Sequence, residues 1–449
     1  MHPPVHPSNR PLGHWRGFRT DPISLLMEAA RSGGDVVSLR MATQTLTLLR
    51  HPDHIRHILQ DNVGNYSKQT RGYAQLRRLL GQGLVTSEGD FWLRQRRIAQ
   101  PAFHRKQIAT FGDTMATLTS EMLRHWDTLA PGTALDISEE MMALTLRIVG
   151  RTLLSTEVSG KSAIVGPALG HLLAQMIDRT TDLVQLPLAI PTARNRIFAQ
   201  SLKALNGVVV NLIAERRASA DRPQDLLTLL MEARDADTGE AMTDAQLRDE
   251  VMTLFLAGHE TTANALAWTF YLLSQNPAAA RRLREELTLA LGGRTPAFED
   301  LPKLPFTARV VQESMRLYPP VWVLARQVME DDTVGGYLLR RGTFVAACPY
   351  VTHRDARYWP APETFDPDRF LPERMAAQPR FAYFPFSGGP RQCIGNQFAL
   401  MEAQLIVASV AQRYALELVP GHPVALQPTV TLRPRYGLSM QLKPLYGAA

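Results

Sequence analysis

The sequence predicts a mainly α-helical protein with small β-sheets, an α+β fold built as one large domain. Three observations lead there. Apolar spacing is helical from about residue 53 to 290, two short zones alternate apolar and polar residues as strands do, and no repeat or long linker divides the 449 residues. Hydrophobic residues make up 45% and charged residues 20%, enough for a large core and wrong for a disordered chain.

The elements follow in chain order. Residues 1–35 read as a polar, proline-rich arm and a first helix, with neither a signal-peptide core nor a membrane anchor, and residues 36–449 as the single domain. Residues 36–49 predict a hairpin, and the helical body comes next, broken at GQG, PGT, SG and DRPQD. Within it VMTLFLAGHETTANALAWTFYLL (251–273) is nearly apolar enough to span a membrane, but His259 and Glu260 at its centre favour a helix buried in a soluble core. The zone VMEDDTVGGYLLRRGTFVAACPYV and the terminal TVTLRPRYGLSMQL each predict a hairpin.

Charge and sulfur narrow the function classes. The 49 basic and 42 acidic residues leave a net charge of +7, scattered rather than striped, which argues against nucleic acid. Two cysteines, Cys348 and Cys393, do not make a disulfide scaffold and suit a reducing cytoplasm.

Three stretches carry candidate chemistry. In AGHETT, Ala257 and Gly258 remove bulk one turn before Glu260, Thr261 and Thr262, leaving room for a ligand beside an acid and a hydroxyl; alternatively the threonines bond back to carbonyls and only bend the helix. A zinc-protease HExxH fails because position 263 is Ala. In QESMRLYPP, Glu313 and Arg316 can pair on one helical face, which is decoration if exposed and important only if buried with a third polar partner such as Arg369. In FPFSGGPRQCIGNQFAL, Cys393 has no CxxC companion, so a zinc site is disfavoured. A lone thiolate suits a metal whose other positions are already filled, haem iron above all, with Gly388, Gly389 and Gly395 letting the backbone come close; the bland reading is a buried free cysteine, as assumed for Cys348.

Together these stretches resemble the cytochrome P450 family. Phe386, Gly389, Arg391, Cys393 and Gly395 match its FxxGxRxCxG loop, Glu313 and Arg316 its ExxR, AGHETT its AGxETT, FDPDRF its partner-arginine segment, and Trp92 with Arg96 its WxxxR; Ser387 departs where many members have glycine. The resemblance implies the cytochrome P450 fold and haem b, with Cys393 as axial thiolate and metal ligand and Phe386 packed near the sulfur. It further implies that Trp92, Arg96, Arg326, His353 and Arg391 bind the propionates, and that Glu313, Arg316 and Arg369 form a structural network. By the same resemblance Thr261 holds dioxygen by a hydrogen bond and Glu260 takes part in delivering protons, so the chain is a monooxygenase that hydroxylates or epoxidises its substrate.

The resemblance also implies electrons from NAD(P)H through separate partners, a ferredoxin or flavodoxin and its reductase, with Arg94 and Arg97 either docking that partner or forming an ordinary solvated face. The substrate pocket is expected at the loop after Tyr73, the helices around 165–205, Ala257, Val321, Val323, Leu324 and Leu438. Its apolar character suggests a fatty acid, terpenoid or polyketide. The expected protein is a soluble, cytoplasmic, bacterial-type monomer. A haem-thiolate gas sensor or haem-binding protein without turnover is the alternative, and the intact Glu260 and Thr261 speak against it.

Overall fold

The computed structural model describes all residues except 156–158, 184–185, 221, 224, 236 and 446–449. The long helix Asp244–Gln275 is its axis. A capping box starts it: the Thr243 hydroxyl accepts from the Gln246 N–H, and the Gln246 side chain accepts from the Thr243 N–H. Leu247, Phe255, Leu266 and Trp268 are buried on different sides of it, so the near-apolar 251–273 stretch is enclosed by protein. The helices Ile137–Leu153, Pro305–Leu317 and Asn396–Arg413 pack around it. At Gly258 the first of these packs tightly, since a Cβ there would lie 3.1 Å from a Val149 methyl. The glycine of AGHETT therefore serves helix packing at least as much as ligand space.

Among the described residues one helix, Ala193–Ala218, is long and apolar enough to cross a membrane, and its Phe198, Leu205, Val209 and Leu212 are buried against the rest of the protein.

The sheets flank this helical body. The predicted 36–49 hairpin pairs Val36–Met41 with Gln44–Leu49, Val36 opposite Leu49, and opens a five-stranded sheet that continues through Phe344–Ala347, Leu324–Val328 and Tyr66–Ser67. The Gly335–Gly336 turn joins Asp332–Val334 to Tyr337–Leu339 as its composition implies. The N-terminal arm joins the same side of the molecule through a bridge from Val5 to Ser38.

The C-terminal segment departs from expectation, because its two strands do not pair with each other. Leu432–Pro434 pairs with Leu426–Pro428, while Ser439–Pro444 pairs with Tyr414–Leu418 and Ala134–Asp136. Tertiary hydrogen bonds separate them: the Leu432 carbonyl accepts from the Trp268 indole at 3.0 Å and its N–H donates to the Pro320 carbonyl at 2.9 Å.

Candidate active site

A cavity of about 1740 Å³ lies between the sheet side and the long helix, and Cys393, Phe386, Arg391 and Gly395 of the cysteine loop open onto it. The loop is held from behind. Gly389 adopts φ +64°, and a Cβ there would sit 2.1 Å from the Leu59 carbonyl oxygen; the Cys393 N–H donates to the Phe386 carbonyl at 3.0 Å. The close approach Gly389 allows is thus to the chain's own backbone. The Cys393 sulfur is exposed to the cavity; the protein packed around it pushes its pKa up, while the Gly395 N–H and the Arg96 charge pull it down. Helix Asn396–Arg413 begins three residues later and presents its positive end to the sulfur. Among the described residues no group of three metal-ligating side chains exists, which leaves Cys393 a solitary soft ligand.

Cations crowd the same cavity. The Arg391 guanidinium lies 3.7 Å from the centre of the Trp92 ring and donates to the Ser87 carbonyl at 2.8 Å. Arg96 donates to the Gln392 carbonyl at 3.0 Å, and Arg326 to the Tyr73 hydroxyl at 3.3 Å. Lys68, which carries no motif, is buried beside them with its ammonium on the Val85 carbonyl at 2.7 Å. Burial and the neighbouring Arg326 and Arg391 push Lys68 well below the usual lysine range, and burial pushes Arg391 down to about 10. Glu88, joined at Arg391 by Tyr73, opposes this concentration of positive charge. A dianionic ring with its metal on Cys393 would relieve it, so these residues fit a haem with two propionates.

His353 does not belong to this set. Its Nε2 accepts from the Phe384 N–H at 3.0 Å, and the rings of Tyr383 and Phe384 pack on it. Burial, with Arg316 and Arg354 nearby, pushes its pKa far down, so it is neutral and offers no cation to a propionate. Its carbonyl instead accepts from Arg316 at 2.8 Å.

Arg316 and Glu313 are both 0% exposed, which meets the condition that makes the ExxR pair matter. Arg316 donates to both Glu313 oxygens at 2.7 and 2.8 Å and to the carbonyls of Pro362 at 2.7 Å and Thr364 at 3.1 Å. Arg369 approaches the same carboxylate at 3.4 Å, and the Asp366 N–H donates to it at 2.9 Å.

On the long helix, Ala257, Glu260 and Thr261 line the cavity. The Thr261 hydroxyl donates to the Ala257 carbonyl at 2.8 Å, and Thr262 reaches the Gly258 carbonyl at 3.4 Å, so both make the back-bond of the bland alternative. Glu260 is almost fully buried: its Oε1 accepts from Arg433 at 2.6 and 2.8 Å and from the Thr431 hydroxyl at 2.5 Å. Neither partner carries a sequence signal, since each lies more than 170 residues away.

The walls are largely apolar, with Leu76, Leu80, Leu84, Leu256, Val321, Val323 and Leu324 among them. Leu438 is not among them: it is fully buried in the core, its N–H held by Asp136 at 3.0 Å, and Val430 and Thr431 of the preceding hairpin take the place expected for it. Among the described residues of the 165–205 region, Ala174, Met176, Asp178, Thr180, Thr181 and Leu183 line the cavity, and none of Ala193–Ala218 does. The N-terminal arm adds Leu12, Trp15 and Phe18, with the Trp15 indole donating to the Thr181 carbonyl at 2.8 Å and Arg19 paired to Asp182 at 3.3 Å. Arg94 and Arg97 are engaged by their own chain, Arg94 with Glu240 at 3.1 Å and Arg97 with Asp235 at 3.1 Å and with Asp237, which weakens their reading as a free docking pair.

The comparisons with known proteins agree with this geometry. The cytochrome P450 family model matches residues 3–442. The chain is 37% identical to "Cyclooctatin synthase" of Streptomyces melanosporofaciens, over 95% of this chain and 93% of that one. It is 34% identical to "Pentalenene oxygenase" of Streptomyces avermitilis, over 92% of each. The crystal structure of the cytochrome P450DA heme domain superposes with a TM-score of 0.90 at 25% identity, covering 99% of this chain and 98% of that one. With a lone cysteine on a glycine loop, a buried ExxR pair and a family match over nearly its whole length, this chain belongs to the cytochrome P450 family.

Proposed function

We propose that the chain is a monooxygenase that hydroxylates or epoxidises a lipophilic terpenoid, using electrons from NAD(P)H passed through a separate ferredoxin or flavodoxin and its reductase. The observation that carries this reading is a single cavity onto which Cys393, the Glu260–Thr261 pair and a wall of aliphatic side chains all open. Haem b bound there supplies dioxygen activation, and thiolate ligation favours O–O cleavage. The Cys393 sulfur would hold the iron, and Arg96, Arg326, Arg391 and Lys68 the propionates, with Trp92 supporting Arg391 from below.

The chain's own residues do the rest. Leucine and valine walls exclude water from a bound hydrocarbon and orient it by shape. Donation to the Ala257 carbonyl leaves the lone pairs of Thr261 Oγ1 free to accept a hydrogen bond at the cavity face. Glu260 is the nearest acid in sequence to that hydroxyl and supplies the proton route. The choice of terpenoid over fatty acid or polyketide rests on the relatives, among them "Pentalenene oxygenase" and "Cyclooctat-9-en-7-ol 5-monooxygenase", both named for cyclic skeletons. A cytoplasmic monomer completes the reading.

The test is a screen of cyclic terpenes by spin-state shift, followed by mass spectrometry of turnover mixtures containing surrogate ferredoxin and reductase. Products one oxygen heavier are expected. Reduced protein with carbon monoxide should show the long-wavelength Soret band of a thiolate ligand, lost in Cys393→Ser and kept in Cys348→Ser. A wild-type protein without that band overturns haem-thiolate chemistry altogether, and one that binds terpenes but never oxidises them overturns the reading in favour of a sensor.

A further inference from the structure

The GQG stretch that ends the helix Arg71–Leu80 folds against a part of the long helix well before AGHETT. Gly81 has φ +58°, and a Cβ there would collide with the Asp249 carboxylate, while one at Gly83 would collide with the Thr253 hydroxyl. Without side chains at these two positions the loop lies directly on the helix. Its backbone then turns two N–H groups toward adjacent acids: Gln82 donates to Asp249 Oδ2 at 2.7 Å, and Leu84 donates to Glu250 Oε2 at 3.0 Å. The other oxygens face elsewhere, Asp249 Oδ1 to Arg248 at 2.6 Å and Glu250 Oε1 to the Gln95 amide at 3.5 Å. Leu84 is buried, so its N–H finds no water in place of Glu250.

The next three residues are held by cations instead. The Val85 carbonyl accepts from Lys68 at 2.7 Å, the Thr86 carbonyl from Arg77 at 3.3 Å and the Ser87 carbonyl from Arg391 at 2.8 Å. The segment thus stands on two footings, carboxylates under residues 82–84 and cations under residues 85–87. Leu80, Leu84 and Val85 of this segment line the cavity. Glu250 is roughly 16 Å along the helix from Thr261, too far to touch the reacting atoms, so its influence on the cavity passes through the loop.

We propose that Asp249 and Glu250 are positioning residues for substrate: by holding the Gln82 and Leu84 N–H groups they fix the wall of Leu80, Leu84 and Val85, and with it the orientation in which a rigid hydrocarbon meets Thr261. The inference rests on the monooxygenase reading and deepens it by naming what sets the shape the cavity accepts. Because the cation footing is separate, loosening the acid footing spoils the fit of a large ligand and spares the haem side.

The experiment titrates purified holoenzyme with two azoles, each read by its Soret shift. Imidazole is too small to press on the wall, whereas clotrimazole, with three aryl rings, packs against it. Glu250→Ala is expected to raise the clotrimazole-to-imidazole ratio of dissociation constants at least fivefold, with imidazole itself within twofold of wild type. Glu250→Gln keeps an acceptor for the Leu84 N–H and should change the ratio by less than fivefold. Hydrogen–deuterium exchange should quicken at residues 81–86 in Glu250→Ala, a readout that needs no ligand.

A ratio raised less than fivefold in Glu250→Ala, a parallel loss of both azoles, or unchanged exchange at residues 81–86 overturns the proposal. So does a Glu250→Gln protein as impaired as Glu250→Ala, since the acceptor would then not be what counts. Should Glu250→Ala fail to hold haem, Asp249→Ala, whose side chain lies nearer solvent, carries the same expectation through the Gln82 N–H. Failure of both variants to hold haem assigns the acids to folding alone and also overturns it. Terpenes bound but never oxidised would instead refute the monooxygenase reading and leave the azole ratio as it is, so the two failures are distinct.

Discussion

Arg316 donates to both oxygens of Glu313 from three residues along the same helix, and neither side chain reaches solvent. Three carbonyls, from His353, Pro362 and Thr364, take its remaining hydrogen bonds. Arg316 thus ties the helix Pro305–Leu317 to the segment running toward the cysteine loop. Arg316→Lys, despite keeping the charge, leaves a buried carboxylate and several carbonyls short of donors and should cost about 3–5 kcal/mol. Denaturant unfolding and haem content of the purified protein measure this; a loss below about 1 kcal/mol would mean the network is dispensable.

Lys68 is expected to have opposite effects on the apoprotein and the holoprotein. Without haem it is a buried ammonium beside Arg326 and Arg391. Lys68→Met should therefore stabilise the apoprotein while speeding haem loss to apomyoglobin by about tenfold, the worth of one charge-assisted hydrogen bond of about 1.5 kcal/mol. A variant destabilised in both forms would remove Lys68 from the propionate set.

Glu250 carries a pH dependence. Its carboxyl is fully buried between the long helix and the Leu84 N–H at 3.0 Å, with the Gln95 amide at 3.5 Å and Asp249 adjacent, and burial raises its pKa to about 7. A carboxyl whose folded pKa is raised binds more protons folded than unfolded, so stability falls as pH climbs from about 4.5 to 7, by roughly 3 kcal/mol in all. Unfolding curves across that range should show the decline, and Glu250→Gln should flatten it. An unchanged slope in the variant would assign the titration elsewhere.

Ser387 occupies the loop position where many family members carry glycine, and it does so at φ +61° with its buried hydroxyl unpartnered. Ser387→Gly removes left-handed strain and an unsatisfied polar atom, and should stabilise the protein by about 1 kcal/mol. The midpoint of chemical unfolding reports it, and a lower midpoint would mean the serine makes a compensating contact with bound haem.

Residues whose role depends on near neighbours were legible in the sequence. Cys393 with its glycines and Glu313 with Arg316 declare themselves within a few positions, and the helix through AGHETT was recognisable as buried from the acid at its centre. Residues whose role comes from distant folding were not. His353 was assigned by position alone, and it lies behind the site because the Phe384 backbone claims its ring. Lys68 stands in YSKQT with nothing local to mark it, and Arg433 acquires meaning only when the terminal ribbon folds onto Glu260. The C-terminal segment departs from the expected hairpin partly for the same reason: Leu432–Pro434 pairs with its near neighbour Leu426–Pro428, while Ser439–Pro444 finds partners far away in sequence at Tyr414–Leu418 and Ala134–Asp136.

The wall built by Leu12, Trp15 and Phe18 changes how substrate range ought to be surveyed. Because the first twenty residues help shape the chamber and are latched to Thr181 and Asp182, an affinity tag fused at the amino end, or a start trimmed for crystallisation, edits the enzyme's selectivity as well as its handling. Screening libraries belong on a chain that keeps residues 1–20 intact and untagged and carries its tag at the carboxyl end.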